Sequence, residues 1–275
     1  MPKTAVGAGK SVSRALSEAT EVLTAAGCET PRLDAELLLS FVLGVGRERL
    51  VIDASSELDC GDLERFEELV ARREAREPVA YILGRKAFRR ISLAVDRRVL
   101  IPRPETELLV EVALSLGRGA RVADVGTGSG AVALALKEER PDLSVIGTDV
   151  SDDALSVARA NAQTLGLDVE FLRADLLEGV PGPFDAVLSN LPYVAEGSGL
   201  PPEIERYEPR LALFGGPDGM DVIRRLLTMV DDVPLVALEV WLGEAVAGLV
   251  SAAGFSSVEI LPDLAGHERV VVGRR

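Results

Sequence analysis

Arg121-Val122-Ala123-Asp124-Val125-Gly126-Thr127-Gly128-Ser129-Gly130 decides the fold of this chain. An apolar run followed by glycines at alternate positions reads as a buried strand that breaks into a tight turn and enters a helix. Two further stretches end in the same manner. Val145-Ile146-Gly147-Thr148-Asp149 closes on a carboxylate, and the run ending at Ser189 passes into Asn190-Leu191-Pro192-Tyr193. If all three are parallel strands, their loops meet at one edge of a single sheet, where open α/β sheets bind ligands.

Working outward, helix and strand alternate from Leu108 onward. Strands are expected near 121–125, 144–149, 168–172, 184–189, 234–239, 256–261 and 268–273, with helices between most of them. Leu155, Ala158, Ala162 and Leu165 mark one such helix. This alternation predicts an α/β architecture, a doubly wound, seven-stranded, mostly parallel sheet. The last two strands are separated only by Pro262-Asp263-Leu264-Ala265-Gly266-His267. That gap is too short for a helical crossover, so they should form an antiparallel hairpin at the sheet edge. Such a Rossmann-like sheet is similar to the class I S-adenosylmethionine-dependent methyltransferase fold.

The chain before Leu108 is different. Val12, Ala15, Leu16, Ala19, Val22, Leu23 and Ala26 recur at helical steps, with Gly27 placed to end the helix. A second helix follows Pro31 and stops near Gly44, and a third runs from about Asp62 with Leu63, Phe66 and Val70 on one face. These elements predict a small helical domain over residues 1–84. Residues 85–103 read as a connecting β-hairpin: Phe88, Ile91, Leu93 and Val95 form one strand, Asp96-Arg97-Arg98 the turn, and Val99-Leu100-Ile101 the return. A catalytic domain then occupies 104–275. Pro104, with acidic residues after it, suits a helix N-terminus, and Arg103 and Glu105 read without further context as a surface capping pair.

Composition narrows the function classes. The 275 residues are 47% hydrophobic and 27% charged, ordinary for a soluble globular protein, and the longest apolar runs fall far short of a membrane span. The first ten residues lack the apolar core of a secretory signal, so a cytoplasmic protein is expected. Two cysteines and one histidine cannot build a disulfide framework or a Cys/His zinc cluster, and no metal is expected. A net charge of −14 argues against stable binding of nucleic acid through its phosphates and is compatible with a basic protein partner.

Gly126, Gly128 and Gly130 allow a ligand to approach the backbone, but Gly126-Thr127-Gly128-Ser129-Gly130-Ala131 fits a dinucleotide loop as well as one for S-adenosylmethionine. Asp149 can accept ribose hydroxyls in either case, or cap a helix beside Ser151. Asp124, two residues ahead of the first glycine, resembles the methyltransferase version. Asn190-Leu191-Pro192-Tyr193 carries the chemical distinction. A plain turn would use the same asparagine and proline. At a strand end beside the glycine loop, however, the tetrapeptide meets a specific chemical need. An amide or exocyclic amine is a poor nucleophile because its lone pair is delocalised. The Asn190 carboxamide and the Leu191 carbonyl can each accept one of its N–H groups and stabilise the charge gained during attack. Pro192 stiffens the turn, Tyr193 offers an aromatic face, and no strong base is required.

On these residues the chain resembles the release-factor N5-glutamine methyltransferases, the HemK/PrmC family, along nearly its full length. The segments that carry the resemblance include Glu77-Pro78-Val79-Ala80-Tyr81-Ile82-Leu83-Gly84, Val99-Leu100-Ile101-Pro102-Arg103-Pro104-Glu105-Thr106-Glu107, the glycine loop and the Asn190 tetrapeptide. Tyr207-Glu208-Pro209-Arg210-Leu211-Ala212-Leu213 and Gly215-Gly216-Pro217-Asp218-Gly219 complete it. The proline-rich connector is the more specific signal.

The resemblance implies methyl transfer from S-adenosylmethionine to the side-chain amide of the glutamine in the Gly-Gly-Gln motif of bacterial peptide-chain release factors. It further implies that the helical domain helps hold that protein substrate. Gly126, Thr127, Gly128, Ser129, Gly130, Asp149, Leu176 and Asn190 would line the cofactor. Asn190, Leu191, Pro192, Tyr193 and Arg103 would bind substrate, with Asn190, Pro192 and Tyr193 catalytic. Family members usually carry proline where this chain has Leu191, and Glu239-Val240-Trp241-Leu242-Gly243 lacks the glycine and glutamine that many relatives have there. Asn-Leu-Pro-Tyr is also typical of adenine-N6 methyltransferases acting on RNA or DNA, which form the alternative. A cofactor-binding scaffold without turnover is the other.

Overall fold

A computed structural model describes residues 10–275. All but the last of the ten residues read for a secretory signal lie outside that range. The chain divides into two compact units, one reaching to Gly84 and including Pro202–Tyr207, the other comprising Arg85–Pro201 and Glu208–Arg275.

In the first unit, helix α1 (Val12–Ala25) is capped by Ser11, whose hydroxyl accepts the Arg14 amide. Its buried stripe of Val12, Ala15, Leu16, Ala19 and Leu23 follows the spacing read from sequence. Helix α2 (Pro31–Leu43) starts on a proline that gives up no useful donor and ends at Gly44, with φ 66°. Helix α4 (Cys60–Glu74) is capped by Asp59 and follows the short α3 (Arg47–Ile52). A further short helix, α5 (Val79–Leu83), ends at Gly84, with φ 69°. Leu16, Leu23, Leu38, Leu39 and Phe66 meet in the core.

One ionic cluster is buried with that core. The Arg73 guanidinium donates to Asp34 at 2.8 Å and to Glu203 at 3.0 Å, and Arg76 donates to Glu203 at 2.7 Å. Glu203 belongs to the short helix Pro202–Tyr207, so this cluster fixes a segment distant in sequence onto α2 and α4.

The second unit opens with a hairpin of β1 (Arg85–Phe88) and β2 (Ile91–Ala94), paired from Arg85↔Ala94 to Phe88↔Ile91. Its turn is Arg89-Arg90, with Arg89 at φ 48°. The predicted turn at Asp96-Arg97-Arg98 and return strand at Val99-Leu100-Ile101 are therefore corrected: Arg98 folds back on Asp96 and no ladder follows. The physical reason is the three-residue interval between buried Phe88 and Ile91, which a continuous strand cannot place on one face.

Helix α6 (Glu107–Leu114), β3 (Arg121–Val125), α7 (Ala131–Glu139), β4 (Ser144–Asp149), α8 (Asp152–Leu165), β5 (Glu170–Arg173), β6 (Ala186–Ser189), β7 (Leu235–Glu239), β8 (Ser257–Pro262) and β9 (Glu268–Arg274) follow. The seven-stranded sheet has the order β5-β4-β3-β6-β7-β9-β8. Pairing is parallel from β5 to β7 and antiparallel where β9 meets both β7 and β8. Alternate residues serve opposite cores. Val122, Val145, Leu188 and Ala237 pack with α6, α7, α8 and the hairpin. Ala123, Val125, Ile146, Val187 and Val236 pack on the other face with the helices Asp221–Leu227 and Gly243–Ala252. Both faces are covered, which explains the near-continuous apolar strand sequences. No helix among the described residues is long and apolar enough to cross a membrane.

Removing one member of the buried ionic cluster leaves the others desolvated without compensation. Arg73→Ala should lower the stability of the helical unit by about 3–5 kcal/mol, whereas replacing Arg73 and Asp34 together by Met and Leu should recover most of the loss. Urea unfolding monitored by hydrogen exchange at α2 amides measures both.

Candidate active site

The chain runs β3, β4, β5 toward one side of the sheet and then crosses back to β6 beside β3. The carboxyl ends of β3 and β6 thus flank the reversal in strand order, the crevice in which such sheets hold ligands.

After β3 the backbone turns sharply. The amides of Gly126 and Thr127 both donate to the Thr148 carbonyl, at 2.9 and 2.8 Å. Thr127 Oγ1 donates to Asp124 at 2.6 Å, and the Ala133 amide of α7 donates to the same carboxylate oxygen at 3.1 Å. Asp124 therefore braces the loop from behind, and burial pushes its carboxyl up to about 6 against those two donors. Gly130 stands at φ 83°, where an added Cβ would lie 2.9 Å from Leu134, so only glycine admits this entry to α7.

Asp149, ending β4, accepts the Gly128 amide at 3.0 Å on one oxygen and the Ser151 amide at 2.9 Å on the other. Ser151 itself caps α8, its hydroxyl accepting the Ala154 amide. The acidic side chain is thus held at the glycine loop and leaves helix capping to its neighbour. Burial raises its carboxyl above the ordinary value, partly offset by those amides. Leu176, at φ 58°, is secured through its carbonyl, which accepts Thr148 Oγ1 at 2.9 Å.

A cleft of about 470 Å³ brings together Gly126, Gly128, Asp149, Leu176, Asn190, Leu191 and Pro192. This lies within the range of roughly 300–1,000 Å³ typical of small-molecule sites. Thr127, Ser129 and Gly130 stand outside its lining and shape the loop. Tyr193 and Arg103 are also outside. Arg103 pairs with Glu208, which accepts the Ile101 amide as well, so the predicted surface pair with Glu105 is replaced by a bond to a buried carboxylate. Burial raises the Glu208 carboxyl, with Arg103 opposing.

Asn190 presents its carboxamide in a defined sense: Nδ2 donates to Thr106 Oγ1 at 3.1 Å, which leaves Oδ1 as the acceptor. The turn after it is clasped from outside. Val194, the next residue, donates its amide to the Leu213 carbonyl and accepts the Gly215 amide, and a Cβ at Gly215 would come within 2.3 Å of the Pro192 carbonyl oxygen. At Gly219 it would come within 2.2 Å of the Tyr193 carbonyl oxygen. The Tyr193 hydroxyl is pushed up to about 12 by burial and then by the charge of Glu239. Thr106, Glu239, Gly215 and Gly219 were not among the predicted site residues. Thr106 lies in the proline-rich connector and Gly215 and Gly219 in the glycine-rich segment, whereas Glu239 ends β7.

The strand order, the antiparallel last strand and the convergence of a glycine loop, a carboxylate and an Asn-Leu-Pro-Tyr turn define a methyltransferase of the Rossmann-like class. A solved methyltransferase from Pyrococcus furiosus shares this fold, with TM-score 0.51 and 20% identity over 66% of this chain and 87% of that one. Residues 14–84 match the PrmC N-terminal domain and residues 104–201 the methyltransferase small domain. The release factor glutamine methyltransferase of Deinococcus radiodurans is 41% identical, covering 94% of this chain and 97% of that protein. That of Mycolicibacterium smegmatis is 42% identical, covering 95% and 96%. The chain belongs to the release factor glutamine methyltransferase family.

Asp124 supplies a pH test of the loop. Its folded carboxyl binds a proton more tightly than the unfolded one, so its contribution to stability is full below about pH 4 and lost as pH rises through about 6. Asp124→Asn should remove that dependence and gain on the wild type by on the order of 3 kcal/mol between pH 4 and 8. Paired urea titrations at the two pH values check the sign.

Proposed function

We propose that this chain transfers a methyl group from S-adenosylmethionine to the side-chain amide nitrogen of the glutamine in the Gly-Gly-Gln motif of peptide-chain release factors, in the cytoplasm. The single observation that carries the reading is the Asn190 carboxamide, turned so that its oxygen is the acceptor while its nitrogen is engaged with Thr106, in the same cleft as the glycine loop. Family membership supports the same substrate.

The residues present suit the methyl donor. Gly128, where an added Cβ would meet nothing within 4 Å, leaves room for close approach, each Asp149 oxygen retains acceptor capacity for ribose hydroxyls, and Leu176 offers an apolar wall for adenine. When bound, S-adenosylmethionine supplies a methyl group on an electron-poor sulfonium carbon. Asn190 Oδ1 and the Leu191 carbonyl would each take one N–H of the glutamine amide, orient the nitrogen and offset its growing positive charge. Pro192 and Tyr193 would shape and floor that grip, and Arg103, through its pairing with Glu208, would hold the connector at the rim. A nitrogen that has been alkylated is acidic enough to lose its proton to water, so no general base is assigned. The helical unit would hold the protein substrate, and the net charge of −14 favours a basic partner without stable nucleic acid.

Asn190→Ala should leave cofactor affinity within about tenfold and lower turnover by roughly a hundredfold or more. Asp149→Ala should weaken cofactor binding, read by calorimetry. Labelled methyl should appear on a release factor and vanish from its Gln→Ala variant. Label on ribosomal RNA alone would reject the reading in favour of adenine methylation, and label on nothing would favour a scaffold.

A further inference from the structure

Thr106 is buried at the end of the 3-10 turn Pro104–Thr106, and its hydroxyl accepts Asn190 Nδ2. A hydroxyl has a single proton to give, and Glu239, the last residue of β7, is the carboxylate whose charged form the Thr106 hydroxyl favours. β7 lies beside β6 with Leu238 opposite Ser189, which brings Glu239 to the level of Asn190. Glu239 is only 2% exposed, and its Oε2 has no hydrogen-bond partner among the described residues. A buried carboxylate with an unpaired oxygen costs stability, so packing alone does not account for it.

We propose that Glu239 takes the Thr106 proton and, acting through Thr106, is a positioning residue that fixes which way round the Asn190 carboxamide stands. This rests on the reading that Asn190 holds the glutamine amide. An ionised Glu239 can only accept, so Thr106 must donate to it and can only accept from Asn190. The Asn190 amine is thereby tied back, and its oxygen faces the cleft. Protonated Glu239 can itself donate to Thr106, whose proton is then released toward Asn190 and suits the inverted carboxamide.

Burial, with Glu105 nearby, pushes the Glu239 carboxyl up to about 7, opposed by the Thr106 hydroxyl and by Arg269 and Arg103, while Tyr193 faces it from β6's turn. Arg269 is spent on Asp263 at 2.9 Å and on the Trp241 ring at 4.6 Å. The orientation is therefore lost as pH falls through about 7.

The test uses the full chain, labelled with nitrogen-15 and saturated with S-adenosylmethionine. The Asn190 side-chain resonances, assigned by their loss in Asn190→Ala, should move with a midpoint near pH 7. They should stand still in Glu239→Gln and Thr106→Val, and move again in Thr106→Ser. Turnover on a release factor should follow the same midpoint and flatten in Glu239→Gln. Thr106→Val should lower kcat by roughly tenfold to a hundredfold with unchanged cofactor affinity, and Thr106→Ser should restore most of it. Asn190 signals indifferent to pH and to all three substitutions would overturn the relay, even if methyl transfer proceeds. Signals that follow Glu239 without any methyl reaching the release factor would uphold the relay and reject the assigned substrate. If Thr106→Val does not fold, Glu239→Gln and Thr106→Ser decide alone.

Discussion

Parallel pairing of β3 with β6 places Val125 opposite Ser189, and β3 with β4 places Val125 opposite Thr148. The Ser189 hydroxyl reinforces the first pair by donating to the Val125 carbonyl. Everything at the site follows from that alignment, because the next residue along each strand is Gly126, Asn190 or Asp149. A slip of one position would turn Ala123 and Val125 out of one core and Val122 out of the other. Because both faces are buried, the packing energy that stabilises the sheet is the same energy that holds the loops in register.

Held in register, the loops still must approach each other closely, and glycine makes this possible on both sides. A Cβ on Gly126 would sit 3.3 Å from Leu191, and those on Gly215 and Gly219 would strike the backbone of the tetrapeptide. Asn190-Leu191-Pro192-Tyr193 is therefore pressed between the first glycine loop and the later one. Val194 pairs with Phe214 to close the far side. A turn enclosed in this manner has little room to reorganise, which is the condition for stabilising charge as it develops.

The strands were legible because a sheet buried on both faces requires long apolar runs, and glycines at their ends mark where chain must turn. Asn190, Leu191, Pro192, Asp149 and Leu176 could be gathered for the same reason: each lies within or just after such an end. The hairpin turn was misplaced because Phe88, Ile91, Leu93 and Val95 were read as one strand, although the interval from 88 to 91 already breaks the two-residue period. Thr106 and Glu239 escaped for a different reason. One lies in a connector and the other at a strand end more than a hundred residues later, and only the folded sheet brings them to Asn190. Arg103 was legible as significant, but its partner Glu208 was not, since an ion pair of this separation leaves no periodic trace.

Leu191 shows how a departure from the family pattern can be absorbed. Proline at this position would restrict the backbone covalently. Leucine lacks the ring, yet it still precedes Pro192, and a residue before proline is confined to extended conformations by the clash with the ring carbons. Its side chain is buried in the same core as Val125, Ile146 and Leu176, against the open face of Gly126. The restraint has moved from a ring to packing, while the main-chain carbonyl that would receive the substrate N–H is unchanged. Because the leucine fills the space that glycine leaves free, the two positions are coupled: a larger residue at 126 would be paid for at 191, and through it at the Asn190 grip.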